Sequence, residues 1–256
     1  MAEAKKKKIV SASSGEEVKE GARKKATVKK QAAPVGNATG LRVGAIVLWL
    51  AALAFEFLAW FVFIGKINLT FLPSMAQLIA FLVLDLACVI IGSQLWKKAN
   101  HIKPASEKNK LLFWLWNNMG VIVCAIAFVP FIILALTDKK ADKKTKAIAT
   151  VAAIIALLIG GVTSIDYNPV SQEQQQAAME AIEGKVLWAP FGKVYHIDET
   201  CQALNQSETL TEGTVEEAIA ANRTRLCAFC AKRNEVDGVV TDQNVDEVEL
   251  EDTADE

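Results

Sequence analysis

Histidine is scarce in this 256-residue sequence, which contains only two, and no glycine-rich loop of the kind that cradles phosphate groups is present. Hydrolase and nucleotide chemistry therefore have no support in the sequence. A secretory signal is also lacking, because the basic N-terminal part is too long and the apolar run after it has no small-residue cleavage site. The long apolar runs, in turn, contain no lysine or arginine in their interiors.

Blocks of opposite charge lie at the two ends of the chain. Residues 1–42 carry eleven Lys/Arg against four acids, whereas residues 234–256 carry ten Asp/Glu and no Lys or Arg. Such opposite blocks are typical of solvated tails, so we predict a disordered basic arm over 1–40 and a disordered acidic tail over 234–256. The alternative for the arm is binding to anionic lipid or nucleic acid through Lys5–Lys8 and Arg23–Lys25.

Hydrophobic residues make up 52% of the chain, and most of them fall into four long runs. Each run reaches or exceeds about 19 residues, enough to cross a hydrocarbon layer of roughly 30 Å. The sequence therefore predicts an all-α transmembrane four-helix bundle over 41–165. We expect a multi-pass protein of the cell membrane, with the lipid bilayer as a partner. The predicted spans are Leu41–Ile64, Leu72–Trp96, Leu111–Leu136 and Ala147–Ile165.

The distribution of positive charge predicts the orientation. Eleven Lys/Arg lie in the arm, and five lie in the second loop, WKKANHIKPASEKNK, on the same side of the membrane. The first loop, on the other side, has only Lys66. We therefore expect both termini in the cytoplasm. The third loop, TDKKADKKTK, also has five lysines and would lie outside, against the rule. A re-entrant third or fourth helix, which would place the C-terminal region outside, is the alternative.

Two acidic residues interrupt the apolar runs. Glu56, in AFEFLAW, and Asp85, in LVLDLAC, fall near the middle of their spans, so each is expected to face the bundle interior. Their predicted partners are each other, or Asn117 and Asn118 in WNNMG. One interpretation is a proton or cation relay, as in a small transporter or channel. The other is a protonated acid that holds helices together, worth about 0.6–2 kcal/mol.

A polar region follows the last apolar run. Ser171 and Gln174 have the spacing of a capping box, which predicts a linker helix within 166–184, ended by Gly184. Two β-prone runs, VLW and KVYHI, flank the turn signal APFG and predict a hairpin. A second capping box, Thr214 with Glu217, predicts a helix that stops at Asn222.

The hairpin, loop and helix bring two pairs of soft ligands together. His196 with Cys201, and Cys227 with Cys230, form a Cys3His set suited to tetrahedral Zn²⁺. We predict a small α+β (ββα) zinc module over 185–233, with the zinc structural because protein would fill all four positions. The alternatives are a disulfide-stabilised external domain and a thiol redox motif. The redox motif is disfavoured because a reactive Cys-x2-Cys normally opens a helix after a strand, whereas this pair follows a predicted helix and a charged turn, NRTR.

The segment EEAIAANRTRLCAFC resembles the end of the metal-binding domain of Ada-type DNA-repair proteins, over about Val186–Arg233. The resemblance implies the fold and the zinc, but not methyl transfer, because His196 stands where that family has a cysteine. The pattern G-x-V-Y-H-x4-C also resembles a small accessory module of bacterial secreted and membrane proteins, which would face outward. The whole chain resembles uncharacterised bacterial four-span membrane proteins with this tail.

These features together predict a protein without catalysis, in which the bundle anchors a zinc-stabilised interaction module for an unidentified protein partner. The alternative is a transporter or channel that uses Glu56 and Asp85. Arg223, Arg225 and other basic residues around CAFC offer a weaker case for nucleic acid, since the acidic tail would compete for them. No pattern in the sequence indicates an oligomeric state.

Overall fold

The computed structural model describes residues 7–18, 36–69 and 72–243, and these divide into two compact units. The first, the helical unit, comprises residues 38–100 and 109–167. The second, the polar unit, comprises the described parts of three separated pieces: the N-terminal segment, the loop His101–Lys108, and the chain from Asn168 onward.

Long apolar helices form the helical unit. They are α1 (Ala38–Phe63), α2 (Ser74–Ile102), α3 (Lys110–Asn117), α4 (Met119–Thr137) and α5 (Lys143–Ser164). Among the described residues, four of them, α1, α2, α4 and α5, are long and apolar enough to cross a membrane. The prediction of four apolar helices followed by a small region with a sheet is thus confirmed at this level.

The third predicted span, Leu111–Leu136, is two helices rather than one. α3 ends at Asn117 and α4 begins at Met119, and Asn118 between them departs from helical geometry with φ −98° and ψ 9°. The Asn118 side chain donates to the carbonyl of Trp114 at 2.9 Å. Because a short polar side chain can compete for backbone hydrogen bonds, an asparagine at this position favours a helix end.

Helices α4 and α5 pack closely because small residues line their interface. Ala127 on α4 and Ala153 on α5 are fully buried. A Cβ atom placed on Gly160 would lie 2.7 Å from the sulfur of Cys124 on α4, so only glycine permits this approach. Small residues bring helix backbones together and increase van der Waals contact, which is the main attraction available in lipid.

The polar unit mixes short strands and short helices. They are β1 (Lys8–Ser11), α6 (Gln172–Ala181), β2 (Val186–Trp188), β3 (Val194–Tyr195), β4 (Thr209–Gly213), α7 (Val215–Ala220), β5 (Arg225–Leu226) and α8 (Ala228–Arg233). One sheet has the order β1-β4-β2, with β1 parallel and β2 antiparallel to β4. β3 and β5 form a second, parallel pair.

The predicted hairpin and caps are present. Leu187 and His196 exchange two backbone hydrogen bonds of 2.7 Å across the hairpin. Both capping boxes form, at Ser171 for α6 and Thr214 for α7. Asn222 takes a left-handed φ of 64°, as expected of a helix stop. The sequence reasoning did not predict β4, and α6 ends at Ala181, earlier than Gly184.

A single apolar core holds the polar unit together. Its buried members come from α6 and from every element after it, including Ile182, Trp188, Tyr195 and Leu210, and the partly buried Ile9 of β1 packs against it. Lys8 to Ser11 pair residue by residue with Thr209 to Glu212. Segments distant in sequence therefore complete one core.

Both tails contribute ordered residues to this unit, which corrects two expectations. The basic arm was expected to be disordered, but β1 is a strand within it. The acidic tail was expected to be disordered from residue 234, but Val239 is buried and Thr241 bridges Leu226. Apolar burial and backbone pairing explain both differences. The remainder of the arm and residues 244–256 lie outside the described residues.

Candidate metal centre

Four side chains meet at the centre of the polar unit. His196 follows β3, and its backbone is fixed by the hairpin bonds to Leu187. Cys201 precedes a 3₁₀ turn over Gln202–Leu204. Cys227 joins β5 to α8, its N–H donating to the carbonyl of Tyr195 at 2.9 Å, and Cys230 lies in α8. The hairpin, the 3₁₀ turn and the junction between β5 and α8 therefore bring the four predicted ligands together.

The spacing of the four ligand atoms fits a tetrahedral ion. All four residues are buried, and one ligand atom from each lies within 4.8 Å of the others. The sulfurs of Cys201 and Cys227 are 3.9 Å apart, and the Cys230 sulfur is 3.7 Å from Nδ1 of His196. A tetrahedral zinc would place two sulfurs about 3.8 Å apart and a sulfur and a nitrogen about 3.6 Å apart. The cluster could therefore hold a metal ion.

The same distances argue against a disulfide. A disulfide brings two sulfurs to about 2.05 Å, far below the separation of Cys201 and Cys227. All five cysteines of the chain are free. The alternative of a disulfide-stabilised domain therefore has no geometric support.

The protonation of the ligands suits a cation. Burial lowers the pKa of His196 to about 4, although nearby Asp242 acts in the opposite direction, so the imidazole is neutral at physiological pH and able to coordinate. Burial raises the pKa of Cys227 to about 11 and that of Cys230 in the same direction. Buried thiols become thiolates only with a compensating positive charge, which a bound metal supplies.

Backbone N–H groups surround the sulfurs and complete the site. Phe229 and Cys230 offer N–H groups to the Cys227 sulfur, and Ile197 and Asp198 offer theirs to the Cys230 sulfur. Such donors favour the thiolate and fix its direction, as outer-shell partners do in metal sites. The sequence reasoning missed them. The available signal was the position of the Cys-x2-Cys pair at a helix start, where N–H groups are free.

The structure overturns the reason given above against a redox motif. Cys227 does follow a strand, β5, and does open a helix, α8. Its raised pKa and its burial nevertheless make it a poor nucleophile, because the thiolate is the reactive form. The close approach of four ligand atoms favours a metal over a reactive thiol pair.

The basic residues around the centre mostly serve the fold. Arg233 pairs with Asp198 at 2.7 Å and donates to the hydroxyl of Thr200. Arg223 donates to the carbonyls of Ala221 and Pro190, and so ties the end of α7 to the hairpin turn. These contacts occupy two of the side chains that a nucleic acid would need.

In the helical unit, Glu56 of α1 and Asp85 of α2 lie within electrostatic range of each other. A Cβ on Gly92 would lie 2.6 Å from the Trp49 indole nitrogen and 3.2 Å from the Ala45 carbonyl oxygen, so α1 and α2 pack closely at this point. Glu56 lies seven residues after Trp49 on α1, and Asp85 lies seven residues before Gly92 on α2, which is about 10 Å along each helix. Asp85 is fully buried, and among the described residues neither of its oxygens has a hydrogen-bond partner.

The other two members of the expected intramembrane site lie elsewhere. The amide of Asn100 lies 3.4 Å from the side-chain oxygen of Asn117, and Asn118 bonds to the carbonyl of Trp114. Asn100 is fifteen residues, or about 22 Å of helix, from Asp85. Asn117 and Asn118 therefore belong to the α3–α4 junction and are not partners of the carboxyls.

Three comparisons with known proteins gave no relative for this chain. A scan against protein-family models, a search of curated proteins and a search of solved structures each returned no match. The resemblance to the Ada-type metal-binding domain therefore stays a prediction, and the case for a metal site depends on the geometry of the four ligands.

Proposed function

We propose that the polar unit is a zinc-stabilised interaction module and that the helical unit anchors it in the cell membrane, without catalysis. The observation that carries the proposal is the set of four buried ligand atoms within 4.8 Å of one another. Three thiolates and one imidazole match the donor preference of Zn²⁺. Protein atoms would fill every position, so no water could bind the ion, and its role would be structural.

Metal analysis of the full-length chain tests the zinc. We expect about one zinc ion per chain and X-ray absorption distances of about 2.3 Å to sulfur. The variant Cys201→Ser should lose the metal. Cys88→Ser is the matched control, because Cys88 lies in α2 outside the cluster, and it should keep the metal. Equal zinc content in both variants would falsify the assignment.

The connectivity of the polar unit supports a common side for both ends. β1 pairs with β4, which supports the placement of the N-terminal segment and the C-terminal module on one side of the bilayer. The loop before α3 belongs there too, because the carbonyl of Ala105 accepts from Gln172 at 3.0 Å. Four membrane-crossing helices satisfy this arrangement. We place this side in the cytoplasm, since the arm and the second loop carry most of the Lys/Arg.

Labelling with a membrane-impermeant thiol reagent tests this orientation. The native cysteines are in spans or buried, so single exposed sites are introduced as Lys140→Cys, in the loop before α5, and Phe191→Cys, in the hairpin turn. Lys140→Cys should react in intact cells, and Phe191→Cys only after permeabilisation. Reaction of both in intact cells would place the module outside and favour the accessory-module resemblance.

The hairpin turn supports a contact with a protein partner. Phe191 is 100% exposed, whereas its neighbour Trp188 is only 4% exposed and belongs to the core. A fully exposed aromatic ring at a turn is a candidate contact residue, as aromatic rings are enriched in interfaces. A photo-crosslinking amino acid at position 191 should give an adduct in cells, and one at Met179, exposed on α6, should not. Adducts at neither position would count against the interaction role.

A further inference from the structure

In the described part of the chain, no residue hydrogen-bonds to the carboxyl of Asp85. A Cβ on Gly120 of α4 would touch Ser93 of α2, and Ser164 of α5 donates to Ser93 at 3.0 Å. These three helices therefore meet at the level of Ser93. Eight residues along each helix from this contact are Asp85 on α2, Phe128 on α4 and Ala156 on α5. Phe128 and Ala156 are buried and apolar.

Glu56 is the carboxyl that completes this layer. It lies close enough to Asp85 for the two carboxyl groups to interact electrostatically. The backbone N–H of Phe131, which follows Pro130 in α4, lies near the Glu56 carboxyl. The thiols of Cys88 and Cys124 also lie within electrostatic range of Asp85. No lysine or arginine occurs in the interiors of the four apolar runs.

These contacts contradict the interpretation of Asp85 as an acid that holds helices together. That role requires a hydrogen bond from the protonated acid to a neighbouring helix, and among the described residues Asp85 makes none. An ionised Asp85 is equally unsupported, because a buried carboxylate requires a paired cation or hydrogen-bond donors. A neutral carboxyl with no structural bond, beside a second carboxyl that lies near a backbone N–H, is the arrangement of a proton-binding pair.

We infer that Asp85 and Glu56 form an intramembrane proton-binding site, in which Asp85 carries an exchangeable proton and the neighbouring carboxyl of Glu56 controls its release. On release, the O–H bond of Asp85 breaks, the electron pair stays on the carboxylate, and the proton passes to water. The site is separate from the metal cluster and does not depend on the interaction role of the polar unit.

Infrared spectroscopy of the full-length chain in lipid nanodiscs tests the site. Every other aspartate lies outside the four apolar helices, so a protonated carbonyl band that moves on aspartate 13C labelling is assigned to Asp85. We expect this band at neutral pH. It should shift in D2O and disappear as the pH rises, and it should be missing in Asp85→Asn.

The variant Glu56→Gln separates a proton site from a structural acid. Removing the neighbouring carboxyl should change the proton affinity of Asp85 about tenfold, which moves the pH midpoint of the band. Glu173→Gln removes a carboxyl of the polar unit and should leave the midpoint unchanged. A midpoint insensitive to Glu56 would overturn the pairing.

Three results would overturn the inference itself. A band that never shifts in D2O means a sealed, structural proton. A band missing at neutral pH means that Asp85 is ionised. A band removed by sodium or potassium ions at constant pH means that the site takes a metal cation, as a cation channel or transporter would. Because the 13C label assigns the band in the wild-type chain, none of these results depends on the folding of a variant.

Discussion

Removing the metal from the polar unit should loosen that unit and leave the helices intact. The ligand pair His196 and Cys230 closes a loop of 34 residues. Closing a loop of that length removes about 3.8 kcal/mol of chain entropy from the unfolded state, if the expression used for disulfides is applied to the metal. The full binding free energy of a structural zinc is larger, about 10–16 kcal/mol at neutral pH. Chelation should therefore cost the unit at least about 4 kcal/mol.

Hydrogen exchange measures this cost at individual amides. The N–H of Cys227 bonds to Tyr195 and that of Leu226 to Val240, so both report the opening of the site. A loss of 4 kcal/mol corresponds to roughly a thousandfold faster exchange at these two amides. Amides of α4 and α5 provide the internal control and should not change. Protection should return when zinc is added back.

The contribution of the apolar core to stability determines which result would refute this reasoning. The core of the polar unit draws on β1, α6 and the tail as well as on the predicted module, so it is larger than the sequence implied. If exchange at Cys227 and Leu226 rises less than tenfold after complete zinc removal, apolar burial alone holds the unit together. The metal would then be a dispensable addition.

Three further predictions concern packing, capping and pH. Gly160→Ala should destabilise the chain by about 1–3 kcal/mol in a detergent thermal-unfolding assay, because its methyl group meets Cys124, whereas Gly161→Ala, with nothing within 4 Å, should stay within about 0.5 kcal/mol. Thr214→Ala removes the cap of α7 and should cost about 1 kcal/mol by chemical denaturation, with unchanged zinc content. Burial raises the pKa of Glu173, but hydrogen bonds from the loop before α3 outweigh this effect and hold the pKa below its usual 4.5. The carboxylate therefore stabilises the unit above about pH 4.5, and that contribution disappears as the pH falls through the lower folded value. Glu173→Gln should accordingly speed exchange at the Gln172 amide at pH 7, and the difference from wild type should vanish in acid; a difference that persists there would refute the assignment.

Local patterns in the sequence predicted the features that depend on neighbours along the chain. The apolar runs, the capping boxes of Ser171 and Thr214 and the left-handed Asn222 all follow from spacing within a few residues. The ligand set was also within reach, because soft ligands in pairs at short spacing are rare without a metal. These are the parts that a single sequence can supply.

Long-range pairing was beyond the sequence. β1 lies in a lysine-rich arm and gains its strand conformation from β4, some 200 residues away. Val239 lies in an acid-rich tail and is buried only because that tail returns to β5. Composition favoured solvated tails in both cases, and tertiary contacts decided otherwise. The unpartnered state of Asp85 likewise depends on which residues its neighbouring helices place at its level.

The parallel pairing of β1 with β4 constrains how the protein is made. Ile9 precedes the four apolar helices in the chain, and its partner Leu210 emerges only after these helices have been translated. The polar unit thus cannot be completed until membrane insertion is over, and the early segment must wait without its neighbour. A fragment that starts after α5 would expose the bare edge of β4, a surface prone to pairing with other chains. Expression of this fragment by itself would then yield aggregates unless residues 7–18 are supplied in trans.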